Sequence, residues 1–406
     1  MHLIEKINSW LIIALFFFIS ISTSMGSLIS ALIFLLWVVH RNFKEQFLQI
    51  KSNRVAVASL IFFSIHIIGL LWSSDFDSAL EVIRKQWKFL MLPIFMVYVR
   101  REHIFIYLNA FLSSIFLSEI LSYLVWFDII DPILKATQTN PAIFMKHIVY
   151  NPLLAIAIYI VASRLFFEKR EQSTPMLILG FFFLSSMTIN MFITGGRSGQ
   201  FMFFVVIFII AFQYFKKNLA KTLLATLIAS ISIFSIAYLT SPLFKDRMQE
   251  TFESFKQYEY GQYTSLSFRL THVINGFDIF LDNPFFGVGT GDLEDEINRV
   301  YSIKSSGGEA VDKVHNLFTN NPHNNHIMVI IRFGLAGLLS FYWIFFNQIK
   351  FSKNIENKEL ARLGFAIPIL FFVVCFGESY LSIHVTSLLF SALSAALYNR
   401  CNCEST

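Results

Sequence analysis

Apolar runs of about 14 to 24 residues alternate with short polar linkers along this chain, and one long polar stretch breaks the alternation. The runs fall at about Ser9 to Met25, Gly26 to Val39, Val55 to Trp72, Trp87 to Val99, Ile104 to Phe127, Ile148 to Phe167, Met176 to Thr194, Gln200 to Phe215 and Thr222 to Leu239. Three more follow the polar stretch, at His326 to Asn347, Leu363 to Phe376 and Tyr380 to Tyr398. Crossing a hydrocarbon core takes roughly 20 residues of α-helix. The pattern therefore predicts an all-α polytopic membrane protein with about twelve transmembrane helices. The first two runs are divided only by a Ser/Thr/Gly turn, and the second and fourth are short, which also fits tilted or partly re-entrant segments.

This pattern divides one integral domain into three parts: residues 1–240 with spans one to nine, the loop of residues 241–325, and residues 326–406 with spans ten to twelve and a short tail. Within the loop, Ser267 to Leu281 carries apolar positions at helical spacing, and Asp282 to Gly291 is a turn punctuated by Pro and Gly. Helix, turn, polar stretch and span ten is the expected order. No internal repeat is visible, and the long loop has no counterpart in the first half, which argues against an inverted-repeat carrier.

Composition agrees with lipid as the main solvent: 55% of residues are hydrophobic, 48 are Phe and 15% are charged, against about a quarter charged in soluble domains. No separate soluble domain is expected. The formal charge of +5 is what basic cytoplasmic loops supply, so it points neither to nucleic acid nor to any particular substrate. Eighteen Lys and Arg residues, from Lys6 to Arg400, fall in one set of loops, and only Arg84, Lys85, Lys88, Lys135, Lys146 and Arg197 fall in the opposite short loops. Both termini are therefore expected in the cytoplasm and the long loop outside it. Met1 to Asn8 precedes an apolar run with no small-residue cleavage pattern, so it reads as a retained first span. Of three cysteines, Cys375 is in an apolar run and Cys401 and Cys403 form a terminal CxC, which makes neither a disulfide framework nor a good zinc site.

Cations on the outer face are few, so each needs a reason. Arg197 lies in TGGRSG, Thr194 to Gly199, where glycines let backbone N–H groups approach an anion and the guanidinium offers a bidentate fork for phosphate. A snorkelling interfacial arginine in an ordinary turn fits the same residues. Arg269 on the loop helix, with Arg84, Lys85 and Lys88 before span four, is expected to line one outward cationic pocket suited to a pyrophosphate. Arg332 interrupts span ten, where lipid exposure costs about 2.5 to 3.5 kcal/mol, so it should face a cavity or snorkel.

Asn321 to Ile327 holds His323 and His326 three residues apart at the entry to span ten, and helical spacing places them on one face. Imidazole is the usual group for taking a proton from a hydroxyl near neutral pH. A helix-capping role fits either histidine as well. No third ligand stands at a persuasive spacing, so no metal is expected. The acidic residues Asp292, Glu294, Asp295 and Glu296 read as a solvated face.

The arrangement resembles the O-antigen ligase and O-antigen polymerase superfamily. The likeness rests on about twelve spans with a long outer loop after the ninth, the turn Thr194 to Ser198, Arg269 followed by NPFFGVGTG, and Pro-His-Asn leading to RFGLAGL. The resemblance implies a GT-C-like membrane glycosyltransferase of the bacterial inner membrane, without a required metal or other cofactor. Its donor would be an undecaprenyl-diphosphate-linked glycan and its acceptor a lipid A core sugar. His323 would deprotonate the acceptor hydroxyl, and Arg197 and Arg269, aided by Lys88 and Arg332, would hold the diphosphate. His326, Asn324, Gly287 and Gly289 would support the site. A polymerase that extends a second lipid-linked glycan shares donor and cations, protein O-glycosylation is a third enzymatic option, and a polysaccharide flippase is the rival from another class. Apolar runs without ionisable residues near their centres argue against the flippase.

Overall fold

The computed structural model describes residues 2–168, 173–216, 218–256, 265–304 and 321–399. The terminal Cys401 and Cys403 lie outside the described residues. Every regular element among the described residues is helical. Hydrophobic and capping positions explain where the helices start and stop. Ser22 caps α2 (Thr23–His40) after the short link from α1 (His2–Phe18), and Asn53 caps α4 (Arg54–Ile68) after the small α3 (Phe43–Ser52). Asp75 accepts the Ser78 N–H at 2.9 Å and starts the amphipathic α5 (Phe76–Lys85). There follow α6 (Lys88–Tyr98), α7 (Ile104–Trp126), α8 (His147–Phe167), α9 (Thr174–Ile193), α10 (Arg197–Tyr214) and α11 (Leu219–Thr240).

Among the described residues, eight helices are long and apolar enough to cross a membrane: α2, α4 with its 3-10 extension to Trp72, α7 to α11, and the helix beginning at Asn325. The chain is thus a multi-pass membrane protein. The other four expected spans fall on shorter helices, namely α1, α6 and two near the C-terminus. At 11 residues, α6 rises ~16 Å, about half of a hydrocarbon core. α8 is the central helix, buried continuously from Tyr150 to Ser163, and packs against α9 and α10.

The long loop contains more helix than its pattern suggested. It holds α12 (Pro242–Lys256), α13 (Ser265–Asp282) and α14 (Leu293–Lys304) before α15 (Asn325–Ser352), α16 (Lys358–Val374) and α17 (His384–Leu397). The expected helix over Ser267 to Leu281 is α13. Ile279 of α13 and Leu293, Ile297, Val300 and Tyr301 of α14 form a small core with Met328 and Ile331 of α15, apart from the main core of the bundle. The acidic run is the first turn of α14, where carboxylates meet the positive end of the helix dipole. Asp292 precedes it and accepts the backbone N–H groups of Ser74 and Asp75 at 2.8 and 2.7 Å.

A break in α15 explains the glycines of the NPFFGVGTG turn. Gly334 adopts φ 56°, ψ −147°, and the helical bonds Ile331 O to Leu335 N and Arg332 O to Ala336 N are open. The turn satisfies all four groups: Leu335 N and Ala336 N donate to the carbonyls of Pro284 and Phe285, while Val288 N and Gly289 N donate to those of Ile331 and Arg332, at 2.8 to 3.1 Å. Non-helical backbone at membrane depth needs such internal partners. Gly287, at φ 66°, has no room for a side chain, because a Cβ would fall 2.4 Å from the Arg332 carbonyl carbon.

Basic residues at the opposite end of the bundle tie helices together. Arg164 pairs with Glu359 at 2.6 Å, and Arg362 pairs with Glu168.

Candidate functional site

At the loop end, the first residues of α8 and α10 converge. The turn before α10 is fixed from below. The Thr194 hydroxyl donates to Asn151 Oδ1 at 2.8 Å, Gln200 Nε2 donates to the Thr194 carbonyl at 3.0 Å, and Asn151 Nδ2 reaches the Gly196 carbonyl at 3.4 Å. This lattice aims Arg197 into a cavity of about 100 Å³ that His147, Arg247 and Arg269 also line. Arg197 Nη1 donates to Thr251 Oγ1 on α12 at 2.9 Å. Three guanidinium groups and the positive ends of two long helices face one small space, an arrangement suited to an anion. Asn140 sets the histidine tautomer there. Its Oδ1 accepts Gly195 N–H at 3.3 Å, so its Nδ2 donates to His147 Nδ1 at 2.7 Å and leaves Nε2 as the donor of the ring.

His323 stands just outside α15, in the left-handed region at φ 52°, a conformation that costs of order 1–3 kcal/mol for a residue with a side chain. Asn324 caps α15 by accepting from His326 N and Ile327 N at 2.9 and 3.1 Å. The helix therefore starts after His323, and the expectation that His323 and His326 share a helical face fails for that reason. His323 Nδ1 donates instead to Glu378 Oε2 at 2.6 Å, and Asn321 Nδ2 and the Ser379 N–H hold the other carboxylate oxygen at 3.2 and 2.9 Å. Burial raises the Glu378 pKa, but the His323 hydrogen bond and charge, with those of Ser379 and Asn321, outweigh it and hold the carboxyl below its ordinary range. The pairing fixes the His323 tautomer with Nε2 as the basic nitrogen.

Two links join the dyad to the cationic pocket. Ser198 Oγ lies 3.5 Å from the Gly377 carbonyl, and the Tyr380 hydroxyl donates to the Ile148 carbonyl at 2.9 Å. Between them, α13 places Arg269 in the pocket and sets the Phe268 ring edge-on to His323, centroids 6.0 Å apart. One turn further on, His272 is buried and donates from Nδ1 to the Phe268 carbonyl at 2.8 Å. Burial, with a smaller contribution from the His323 charge, lowers its pKa to about 4.

The structure does not bring all the cations expected from the sequence to one place. Arg197 and Arg269 share the pocket. Arg332 lines a second cavity of about 230 Å³ together with Glu81, Lys85, Gln86, Ser379 and Ser382. Lys88 is buried elsewhere, donating to the Lys85 carbonyl at 2.7 Å and lying 5.3 Å from the Trp87 ring centroid. The single pocket expected for Arg269, Arg84, Lys85 and Lys88 is thus divided: Arg269 lines the first cavity and Lys85 the second, and Arg84 and Lys88 line neither. His326 is buried on α15, bonded to the Tyr342 hydroxyl at 3.1 Å and the Phe372 carbonyl at 3.0 Å. Gly287 and Gly289 hold the α15 break. Glu378 and Arg247 were not singled out in the sequence. An acid in the three-residue gap between two apolar runs was the available signal for Glu378.

These features define a multi-pass helical membrane protein with an arginine-lined pocket beside a histidine–carboxylate dyad. Residues 180–342, about two fifths of the chain, match the family model described as O-Antigen ligase, so that stretch is similar to this family. The matched residues contain Arg197, Arg247, Arg269 and His323, while Glu378 and α5 lie beyond them. An uncharacterized protein of Haemophilus influenzae is 25% identical over 221 residues, 52% of this chain and 53% of that relative. The chain spans about half the length of this curated relative.

Proposed function

We propose that this protein is a glycosyltransferase of the bacterial inner membrane that moves a glycan from an undecaprenyl-diphosphate carrier to a lipid A core sugar hydroxyl. The reading places both termini in the cytoplasm and the loop end in the periplasm, with the twelve apolar helices forming a GT-C-like bundle. The observation that carries it is the His323–Glu378 dyad standing next to the arginine pocket. His323 has a carboxylate partner, whereas His147, the histidine inside the arginine pocket, is bonded to the Asn140 amide instead.

In this mechanism Arg197, Arg247 and Arg269 hold the diphosphate, and the lipid tail stays in the bilayer. The acceptor oxygen attacks the anomeric carbon, forming the new glycosidic bond as the bond from that carbon to the diphosphate oxygen breaks. The bonding pair leaves on the diphosphate, where the guanidinium groups stabilise the growing negative charge. The hydroxyl proton passes to His323 Nε2, Glu378 stabilises the imidazolium, and the proton then leaves to solvent. No redox change or external reactant is needed.

The test is His323→Ala in cells that make the lipid-linked glycan. Loss of glycan transfer with accumulation of the donor on the outer face supports the reading. Normal transfer would remove His323 from the chemistry, and donor trapped on the cytoplasmic face would point to a flippase.

A further inference from the structure

The cavity lined by Arg332 differs in chemistry from the arginine pocket. Its wall mixes a carboxylate (Glu81), ammonium and guanidinium groups (Lys85, Arg332), an amide (Gln86) and hydroxyls (Ser379, Ser382), beside an apolar side formed by Val82, Met328 and Ile383. An anion site needs donors only, whereas sugar hydroxyls both donate and accept and a pyranose ring offers an apolar C–H face. Two buried atoms here have no hydrogen-bond partner among the described residues: Gln86 Oε1 and Ser379 Oγ, on residues only 2% and 1% exposed. Leaving such groups unsatisfied costs about 1–3 kcal/mol each, which a ligand that bonds to them recovers.

Position supports the same conclusion. The cavity includes Asn321 and Ser379, both of which hold the Glu378 carboxylate, while the arginine pocket reaches the same turn through Ser198 and Gly377. The two pockets therefore flank residues 377–379, with the His323–Glu378 dyad between them.

We infer that this cavity is the acceptor subsite, taking the terminal sugar of a glycan whose hydroxyl is presented to His323. The inference rests on the glycosyl-transfer reading. It gives α5, outside the family-matched residues, a substrate role, with Gln86 and Ser379 recognising hydroxyls and Glu81, Lys85 and Arg332 setting which sugar fits. About 230 Å³ is enough for one terminal ring. The sugar can come from a core lipid or from a second lipid-linked glycan.

The experiment uses purified full-length protein, lipid-diphosphate-linked glycan as donor, and two acceptor arms: lipopolysaccharide lacking its O-chain, or further lipid-linked glycan. Steady-state KM is measured for each substrate with Gln86→Leu and with Ser78→Trp, which fills the cavity from its half-buried rim. The inference predicts an acceptor KM raised about tenfold or more, a donor KM within twofold of wild type, and an effect confined to the arm that wild type uses. An unchanged acceptor KM in both variants, or a donor KM that rises with it, overturns the acceptor assignment. Ser78 lies on the exposed amphipathic helix, so its variant remains informative if Gln86→Leu does not fold. Absence of transfer by wild type in both arms would instead defeat the glycosyl-transfer reading itself.

Discussion

His323 Nδ1 donates to Glu378 Oε2 at 2.6 Å across a sequence separation of 55 residues. This bond makes one ring nitrogen a fixed donor and leaves the other to act as a base. Two further contacts, Asn325 N to the Cys375 carbonyl and Leu381 N to Asn325 Oδ1, both at 2.9 Å, bind the first residue of α15 to the α16–α17 turn and hold the pair in register.

Replacing Glu378 by Gln keeps the shape but removes the charge that stabilises the imidazolium. We expect kcat to fall about 10²-fold with both KM values near wild type, and Glu378→Ala to fall further. Steady-state kinetics of the two variants check this. A Gln variant at full kcat would show that the carboxylate does not assist the base.

The arginine pocket makes a different prediction. Arg197→Lys and Arg269→Lys keep the charge but lose the planar fork, so each should reduce kcat/KM for the donor roughly 10-fold or more, and the Ala variants more still. Arg247 is half-exposed and paired with Glu250 at 2.9 Å, so Arg247→Ala should have a smaller effect. Competition by inorganic pyrophosphate should weaken in parallel. Unaltered pyrophosphate inhibition in Arg197→Ala would contradict the assignment.

Local pattern made Arg197 and His323 legible, since each sits in a polar stretch beside an apolar run where a cation or imidazole is conspicuous, and Arg269 was legible as a cation on the loop helix. Lys88 was equally conspicuous, yet packing turned it toward the Lys85 carbonyl. Glu378 was hidden because its partner is 55 residues away and its neighbours Cys375 and Phe376 belong to an apolar run. The helical nature of α13 was readable from spacing, and α14 was masked by the acids of its first turn although Leu293, Ile297, Val300 and Tyr301 keep helical spacing. The break at Gly334 was not readable, because the partners that stabilise it come from residues 284–289.

That break yields a stability prediction. Gly287→Ala and Gly334→Ala force side chains into positive-φ positions against backbone atoms 2.4 and 2.6 Å away. Each should destabilise the protein by more than ~2 kcal/mol and release the turn from α15. Thermal unfolding in detergent and protease sensitivity near residues 284–291 measure this, and wild-type behaviour of both variants would contradict the account of the break.

The loop helices should also lose stability in mild acid. Burial lowers the His272 pKa from 6.5 to about 4, so the unfolded chain takes up the proton first as pH falls. Stability is complete above the unfolded pKa, declines between pH 6.5 and about 4, and then levels. The expected loss from pH 7 to pH 5 is roughly 2 kcal/mol. His272→Phe should flatten this part of the melting profile, and an identical pH dependence in that variant would show that another group is responsible.

The central claim is that His323 takes a proton from an acceptor hydroxyl while the arginine pocket releases a lipid diphosphate. Its most direct measurement is the release of polyprenyl diphosphate by purified protein, followed together with glycan transfer. The account predicts release and transfer in equal amounts for wild type, and a parallel loss of both in His323→Ala while donor binding persists. Undiminished release and transfer by His323→Ala would contradict it.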